Sequence, residues 1–160
     1  MPAFGKTFSE YVQFQKPILV LILIVGLARL LLSLAGVPNS TVKWLSVTVV
    51  TLLGGLYCAI RVHTSGFGSF RHLLPLLVIQ NTLAHTISAG AIAIAIVTGK
   101  NNIFSAPEYS GGGDGKTWLH VGAHLVLGIV VFSLVLWLVT CLILFVTRKL
   151  TPPGRAGAPA

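Results

Sequence analysis

Acidic residues are the scarcest charged residues in this sequence. Its 160 residues contain three acids against eleven lysines and arginines, and charged residues make up 9% of the chain, whereas soluble domains contain roughly a quarter. The three acids, Glu10, Glu108 and Asp114, lie outside the long apolar runs. This distribution argues against paired catalytic carboxylates and against a pump that uses intramembrane acids. The sequence therefore indicates no enzymatic reaction.

The sequence also lacks the cysteine patterns of metal and disulfide proteins. Its two cysteines, Cys58 and Cys141, lie within apolar runs and in no CxxC or Cys/His pattern. A structural zinc site or a disulfide framework is therefore not expected. Both thiols are predicted to be small packing residues.

Long apolar runs are what the sequence has in abundance, since 54% of it is hydrophobic. The runs reach the roughly 18 to 20 residues that a helix needs to cross about 30 Å of hydrocarbon, and they show no alternation of polarity. We therefore expect an all-α integral membrane protein with four transmembrane helices in an up-down bundle. The predicted spans cover residues 17–36, 42–61, 73–98 and 118–147.

The segments outside these spans are short. Residues 1–16 carry aromatic residues three to four positions apart, which predicts a short amphipathic interfacial helix before the first span. Residues 99–117 are predicted to form an outer loop, and residues 148–160 a disordered cytoplasmic tail.

The net charge of +8 is unevenly distributed between the two sides of the predicted bundle. One side carries seven basic residues, which are Lys6, Lys16, Arg61, Arg71, Arg148, Lys149 and Arg155. The other side carries three, which are Lys43, Lys100 and Lys116. The positive-inside rule then predicts that both termini are cytoplasmic, in a multi-pass protein of a bacterial-type inner (plasma) membrane. The basic excess indicates contact with anionic lipids, and nucleic acid is not an expected partner.

Arg29 is the one lysine or arginine away from the ends of a predicted span, and no span contains an acid to pair with it. It shares a helix face with Gly26, Ser33 and Gly36, so the guanidinium is expected to face another helix. An anionic ligand, a lipid phosphate or another subunit would then neutralise it. The alternative is that Arg29 extends outwards to the lipid headgroups.

The third span carries the strongest polar stripe, because Asn81, His85 and Ser88 recur at helical spacing. Such a stripe is expected to face protein, either through hydrogen bonds between helices or as a ligand, ion or proton site around His85. Counting about 1.5 Å per residue, His85 and Arg29 lie at similar depths, so they are expected to meet.

The fourth span opens with His120 and His124, one helical turn apart on a face that Gly128 continues. This pair suggests a divalent-metal site at the outer rim, or a b-type haem held by His85 and His124. Depth argues against the haem, because His85 lies about 20 Å and His124 about 9 Å from the outer ends of their spans. We therefore expect two separate polar places, one near mid-membrane and one at the outer rim.

Three functions remain open at this point. The first is a non-catalytic subunit or self-associating component of a membrane assembly, a homo- or hetero-oligomer that packs through small residues such as Gly54 and Gly55. The second is a haem- or metal-binding electron-transfer bundle that uses His85, His120 and His124. The third is a small transporter or channel for an anionic solute, which Arg29 and the lack of intramembrane acids favour.

Overall fold

The computed structural model describes residues 2–109 and 112–151. The fold is all-α, and four helical stretches are long and apolar enough to cross a membrane. These are Lys16–Leu34, Asn39–Thr64, Phe70–Thr98 and Trp118–Leu150. The sequence prediction of an all-α, four-span chain is confirmed at this level, with membrane insertion supported by helix length and composition.

A short helix precedes the four spans. Helix α1 covers Phe8–Phe14 and is closed at its start by a capping box in which Thr7 and Glu10 bond each other's backbone. The pKa of the Glu10 carboxyl is lowered to about 2, first by the hydrogen bond from the Thr7 backbone N–H. On this helix Tyr11 is buried and Phe8 is exposed.

The first two spans are joined through a helical turn. Helix α2 covers Lys16–Leu34, with a proline at its start, and a single-turn helix, α3, covers Asn39–Val42. Helix α4 covers Val47–Thr64 and is capped by the Ser46 hydroxyl, which accepts a hydrogen bond from the Val49 N–H. The second apolar stretch is therefore interrupted before Val47, and α4 runs to Thr64, three residues beyond the predicted span.

Helix α5, Phe70–Thr98, is the longest element and lies at the centre of the bundle. It packs against α1, α2, α4 and the whole fourth span. Its C-terminus is set by Gly99, which has φ +72°, a left-handed conformation that glycine adopts without strain. Pro75 lies within its first two turns.

The fourth span consists of three consecutive helical segments. Helix α6 covers Trp118–Ala123, a π-helical segment covers His124–Val131, and helix α7 covers Phe132–Leu150. Residues 148–150, which the sequence assigned to the tail, are still helical. Residues 152–160, Arg155 among them, lie outside the described residues.

The outer loop packs against the bundle, which its length alone did not predict. Asn102 and Ile103 are buried: the Asn102 Nδ2 donates to the Ala91 carbonyl at 2.7 Å, and the Ile103 N–H donates to the Ser33 hydroxyl at 2.8 Å. Glu108 accepts a hydrogen bond of 3.0 Å from Asn39, which lowers the pKa of its exposed carboxyl. The loop is thus tied to α5, α2 and α3 and covers the outer end of the bundle.

Candidate functional site

A cavity of about 210 Å³ lies between α2, α4, α5 and the fourth span, beneath the outer loop. Apolar side chains such as Phe104 and Phe132 form part of its wall. The polar side chains that line it are Arg29, Thr48, Thr51, Asn81, His85, Ser88, Tyr109 and His124. Five of the six residues singled out in the sequence therefore share one cavity, and only His120 lies outside its lining.

Arg29 faces the protein at the outer end of this cavity. Its Nη1 donates to the Leu45 carbonyl at 3.0 Å, and its guanidinium carbon lies 5.2 Å from the centre of the Phe104 ring. The ring and the carbonyl partly compensate the charge. The Nε–H group is buried and has no hydrogen-bond partner among the described residues. Arg29 therefore retains a donor that needs an acceptor.

Asn81, in contrast, has a buried acceptor atom that lacks a donor. The side chain is fully buried, and its Nδ2 donates to the Ser133 hydroxyl at 2.9 Å. Its Oδ1 has no partner within the part of the chain that the structure describes, and an unpaired buried polar atom costs about 1–3 kcal/mol. Ser88, the other member of the stripe, bonds the Ala84 carbonyl of its own helix. Two residues that line the cavity thus each have a buried polar atom without a partner in the described part of the chain, a donor on Arg29 and an acceptor on Asn81.

The histidines form one connected group, so the expectation of two separate polar places is wrong. The Nδ1 atoms of His85 and His124 are 2.9 Å apart, and the rings of His120 and His124 have centres 5.0 Å apart. His85 and His124 therefore lie closer in depth than counting residues from the ends of their helices gives. The position facing His85 is Gly128, where a Cβ atom would overlap the imidazole.

The missing side chain of Gly128 is what allows the two rings to meet. The His85 ring lies over the glycine and reaches His124, one turn closer to the outer end of the fourth span. His124 and Gly128 both belong to the π-helical segment, a rare geometry that is frequent at functional sites. Gly128 continues the histidine face in the sequence, but its role in admitting a ring from another helix depends on the packing.

This arrangement does not fit a haem held by His85 and His124. Two axial nitrogens of one iron lie roughly 4 Å apart, at about 2 Å for each metal–nitrogen bond. The two Nδ1 atoms are 2.9 Å apart, and the cavity of about 210 Å³ is smaller than the roughly 300–1,000 Å³ of pockets for drug-sized ligands.

The arrangement around His120 and His124 does not make up a full set of metal ligands either. Within residues 2–109 and 112–151, no group of three or more histidine, cysteine or acidic side chains is placed to hold a metal ion. Asp114 accepts a hydrogen bond from the Lys116 N–H, and Glu108 from Asn39. Neither acid thus completes a metal site with the two histidines.

A second buried polar cluster, formed by Gln15, Cys58 and Gln80, was not predicted from the sequence. Gln80 Nε2 donates to the Gln15 Oε1 at 2.8 Å and lies 3.3 Å from the Cys58 sulfur. The glutamine fits because Gly54 leaves space for it. Gln15 lies between α1 and α2, outside any apolar run, so only the return of α1 against α5 buries it.

Gly54 and Gly55 lie inside the bundle. A Cβ on Gly54 would overlap Gln80 and Ile18, and one on Gly55 would press on Thr140 and Leu136. The small-residue face that suggested self-association is therefore filled by side chains of the same chain.

No protein-family model, curated protein or solved structure matches this chain.

Proposed function

We propose that the protein binds a small organic anion in the cavity and serves as a transporter or channel for it. The observation that carries this proposal is that two residues lining one cavity each have a buried atom without a partner among the described residues, the Nε of Arg29 and the Oδ1 of Asn81. A carboxylate satisfies the first atom, and a hydroxyl group on the same molecule satisfies the second.

The charge of the cavity wall favours an anion. Arg29 is its only permanently charged lining residue among those the structure describes, and no acid faces it. A cation buried in a bundle without a counter-charge is unfavourable. A bound anion removes this cost, so the net charge of the site supports anionic ligands over neutral or cationic ones.

The size and the apolar wall favour a small monocarboxylate. An apolar cavity of about 150 Å³ accepts benzene, and this cavity measures about 210 Å³. Phe132, Ala84 and Val47 line it as well and suit the hydrocarbon part of the molecule. A short hydroxy acid has the charge, the donor and the volume that the wall accommodates.

We also propose the orientation in which both termini are cytoplasmic, in a bacterial-type inner membrane. The cavity then lies in the half of the bundle that faces away from the cytoplasm, close to the outer loop. The uneven distribution of basic residues supports this orientation.

A role as an assembly component remains the second proposal. With Gly54 and Gly55 inside the bundle, a partner would have to contact the exposed apolar side chains, which a bilayer covers equally well. The native mass of the purified protein tests it, because a monomer argues against self-association.

Binding of radiolabelled lactate to the protein in neutral-lipid nanodiscs tests the anion proposal. We expect saturable binding that the neutral amide of lactate does not displace. Arg29→Gln should weaken it at least tenfold, about 1.4 kcal/mol, because a charge-assisted hydrogen bond contributes about 1.5–3 kcal/mol.

The matched control is Lys100→Gln, which removes the same charge from the exposed outer loop and should leave binding unchanged. Anionic phospholipid added to the nanodiscs should compete only if Arg29 binds a lipid phosphate. Absence of saturable binding to the unmodified protein, or equal losses in the two variants, would contradict the proposal.

A further inference from the structure

The His85–His124 pair contains one vacant basic nitrogen. A hydrogen bond of 2.9 Å between two Nδ1 atoms requires a proton on one of them and a lone pair on the other. In a neutral pair the donor ring then has an unprotonated Nε2. A second proton can bind at that nitrogen while the Nδ1–H···Nδ1 bond stays in place and becomes charge-assisted.

His120 lies next to this pair, on the side towards the outer end of the fourth span. Its Nδ1 lies 2.9 Å from the Gly115 carbonyl, which only accepts hydrogen bonds, so the Nδ1 carries the proton. The Nε2 of neutral His120 is therefore also free to accept one. The ring is partly exposed and lies against His124, so the group extends from the cavity wall towards the loop.

The groups around the pair oppose its protonation in an empty cavity. Helix α2 contributes the Arg29 cation, α6 contributes His120, and the outer loop contributes Tyr109. Helix α4 contributes only the hydroxyls of Thr48 and Thr51, and α7 the Phe132 ring. Helix α1 packs against α5 as well, but Glu10, its one acid, is bonded to Thr7 and Lys6. No described acid faces the pair, so an added proton would place a second positive charge near Arg29.

From this geometry we infer that the anion binds together with one proton, which the His85–His124 pair takes up. The inference rests on the proposed anion site. A bound carboxylate neutralises Arg29 and lies in the cavity that both histidines line, so it favours the proton. By reciprocity the proton favours the anion to the same extent. The transported species is then effectively an acid, in the form of an anion plus a proton.

Proton uptake during lactate binding tests the inference. Lactate is added to the nanodisc-embedded protein in weakly buffered solution between about pH 6 and 8, where a carboxyl with a pKa of about 4 stays ionised. A pH-sensitive dye reports protons, and the radiolabel reports binding. We expect up to about one proton per bound anion and a Kd that falls as the pH falls, by at most tenfold per pH unit.

Two variants and a control identify the residues that take up the proton. In His124→Gln and, independently, His85→Gln, proton uptake should be lost and the Kd should no longer change with pH, whatever its absolute value. The control His63→Gln removes a histidine at the far end of α4, about 18 Å along the helix from Thr51. It should behave like the unmodified protein.

The possible failures are distinct. Lactate binding without proton uptake overturns the coupling and leaves the anion site standing. Proton uptake that persists in either histidine variant overturns the assignment to this pair. A complete lack of lactate binding overturns the anion site and, with it, the inference that rests on it.

Discussion

At the scale of single residues, the site depends on a glycine that has no chemistry of its own. The Gly128 backbone lies where the His85 ring needs space, and any side chain there overlaps the imidazole. The hydrogen bond between His85 and His124 exists only because that space is empty.

We expect Gly128→Ala to separate the two histidines. Displacing a packed ring costs about 1–3 kcal/mol, so the thermal unfolding temperature should fall and the pH dependence of lactate binding should disappear. Gly122→Ala is the matched control, since a Cβ there meets nothing within 4 Å and alanine is favoured in helices by roughly 0.5–1 kcal/mol. Equal effects of the two substitutions on unfolding and binding would refute this explanation.

Most polar residues of the site could be predicted from the sequence because they are out of place in hydrocarbon. Arg29, Asn81 and His85 stand out in apolar runs, and each lines the cavity. The proximity of His124 could not be predicted, because it depends on the relative level of two helices. The burial of Gln15 could not be predicted either, because it depends on the packing of α1 against α5.

At the scale of the elements, His72 links the turn at residues 3–6 to the start of α5. The His72 Nδ1 accepts a hydrogen bond of 3.0 Å from the Ser69 N–H, so its Nε2 carries the proton and donates to the Phe4 carbonyl at 3.2 Å. Phe4 has φ +54°, which is unfavourable for a bulky residue. This contact therefore stabilises a strained turn that connects residues 3–6 to the start of α5.

His72→Ala should release that turn. Loss of its two hydrogen bonds, about 0.5–1.5 kcal/mol each, predicts cleavage after Lys6 by trypsin that is several-fold to about a hundredfold faster. His63→Ala, at a histidine whose ring bonds the Thr151 carbonyl at the other end of the chain, serves as the control. An unchanged cleavage rate in His72→Ala would show that other contacts hold the segment.

The four long helices could be predicted because the bilayer requires continuous apolar helices of a minimum length. The interruption before Val47 and the fold of the outer loop were not predictable in the same way. They depend on local bonds such as the Ser46 cap and the contact from Asn102 to the Ala91 carbonyl. Short polar linkers contain many groups able to form such bonds, and the packed bundle selects among them.

At the scale of the whole molecule, the proposed orientation has a direct test in the full-length chain. Lys100→Cys lies in the outer loop and Ser65→Cys follows α4 at the opposite end of the bundle. We expect a membrane-impermeant maleimide to label the first in intact cells and the second only after permeabilisation. The two native cysteines are buried or partly buried, and the unmodified protein measures their background. The reverse labelling pattern would invert the topology and place the cavity near the cytoplasm.

The π-helical segment His124–Val131 bears on how relatives of this chain should be aligned. A π-helical turn contains one residue more than an α-helical turn, and deleting one residue there would rotate everything before it by about 100°. His120 and His124 would then turn away from the cavity while the span kept the same hydropathy. Two chains with indistinguishable membrane profiles would thus differ by a one-residue gap in whether they possess the histidine pair.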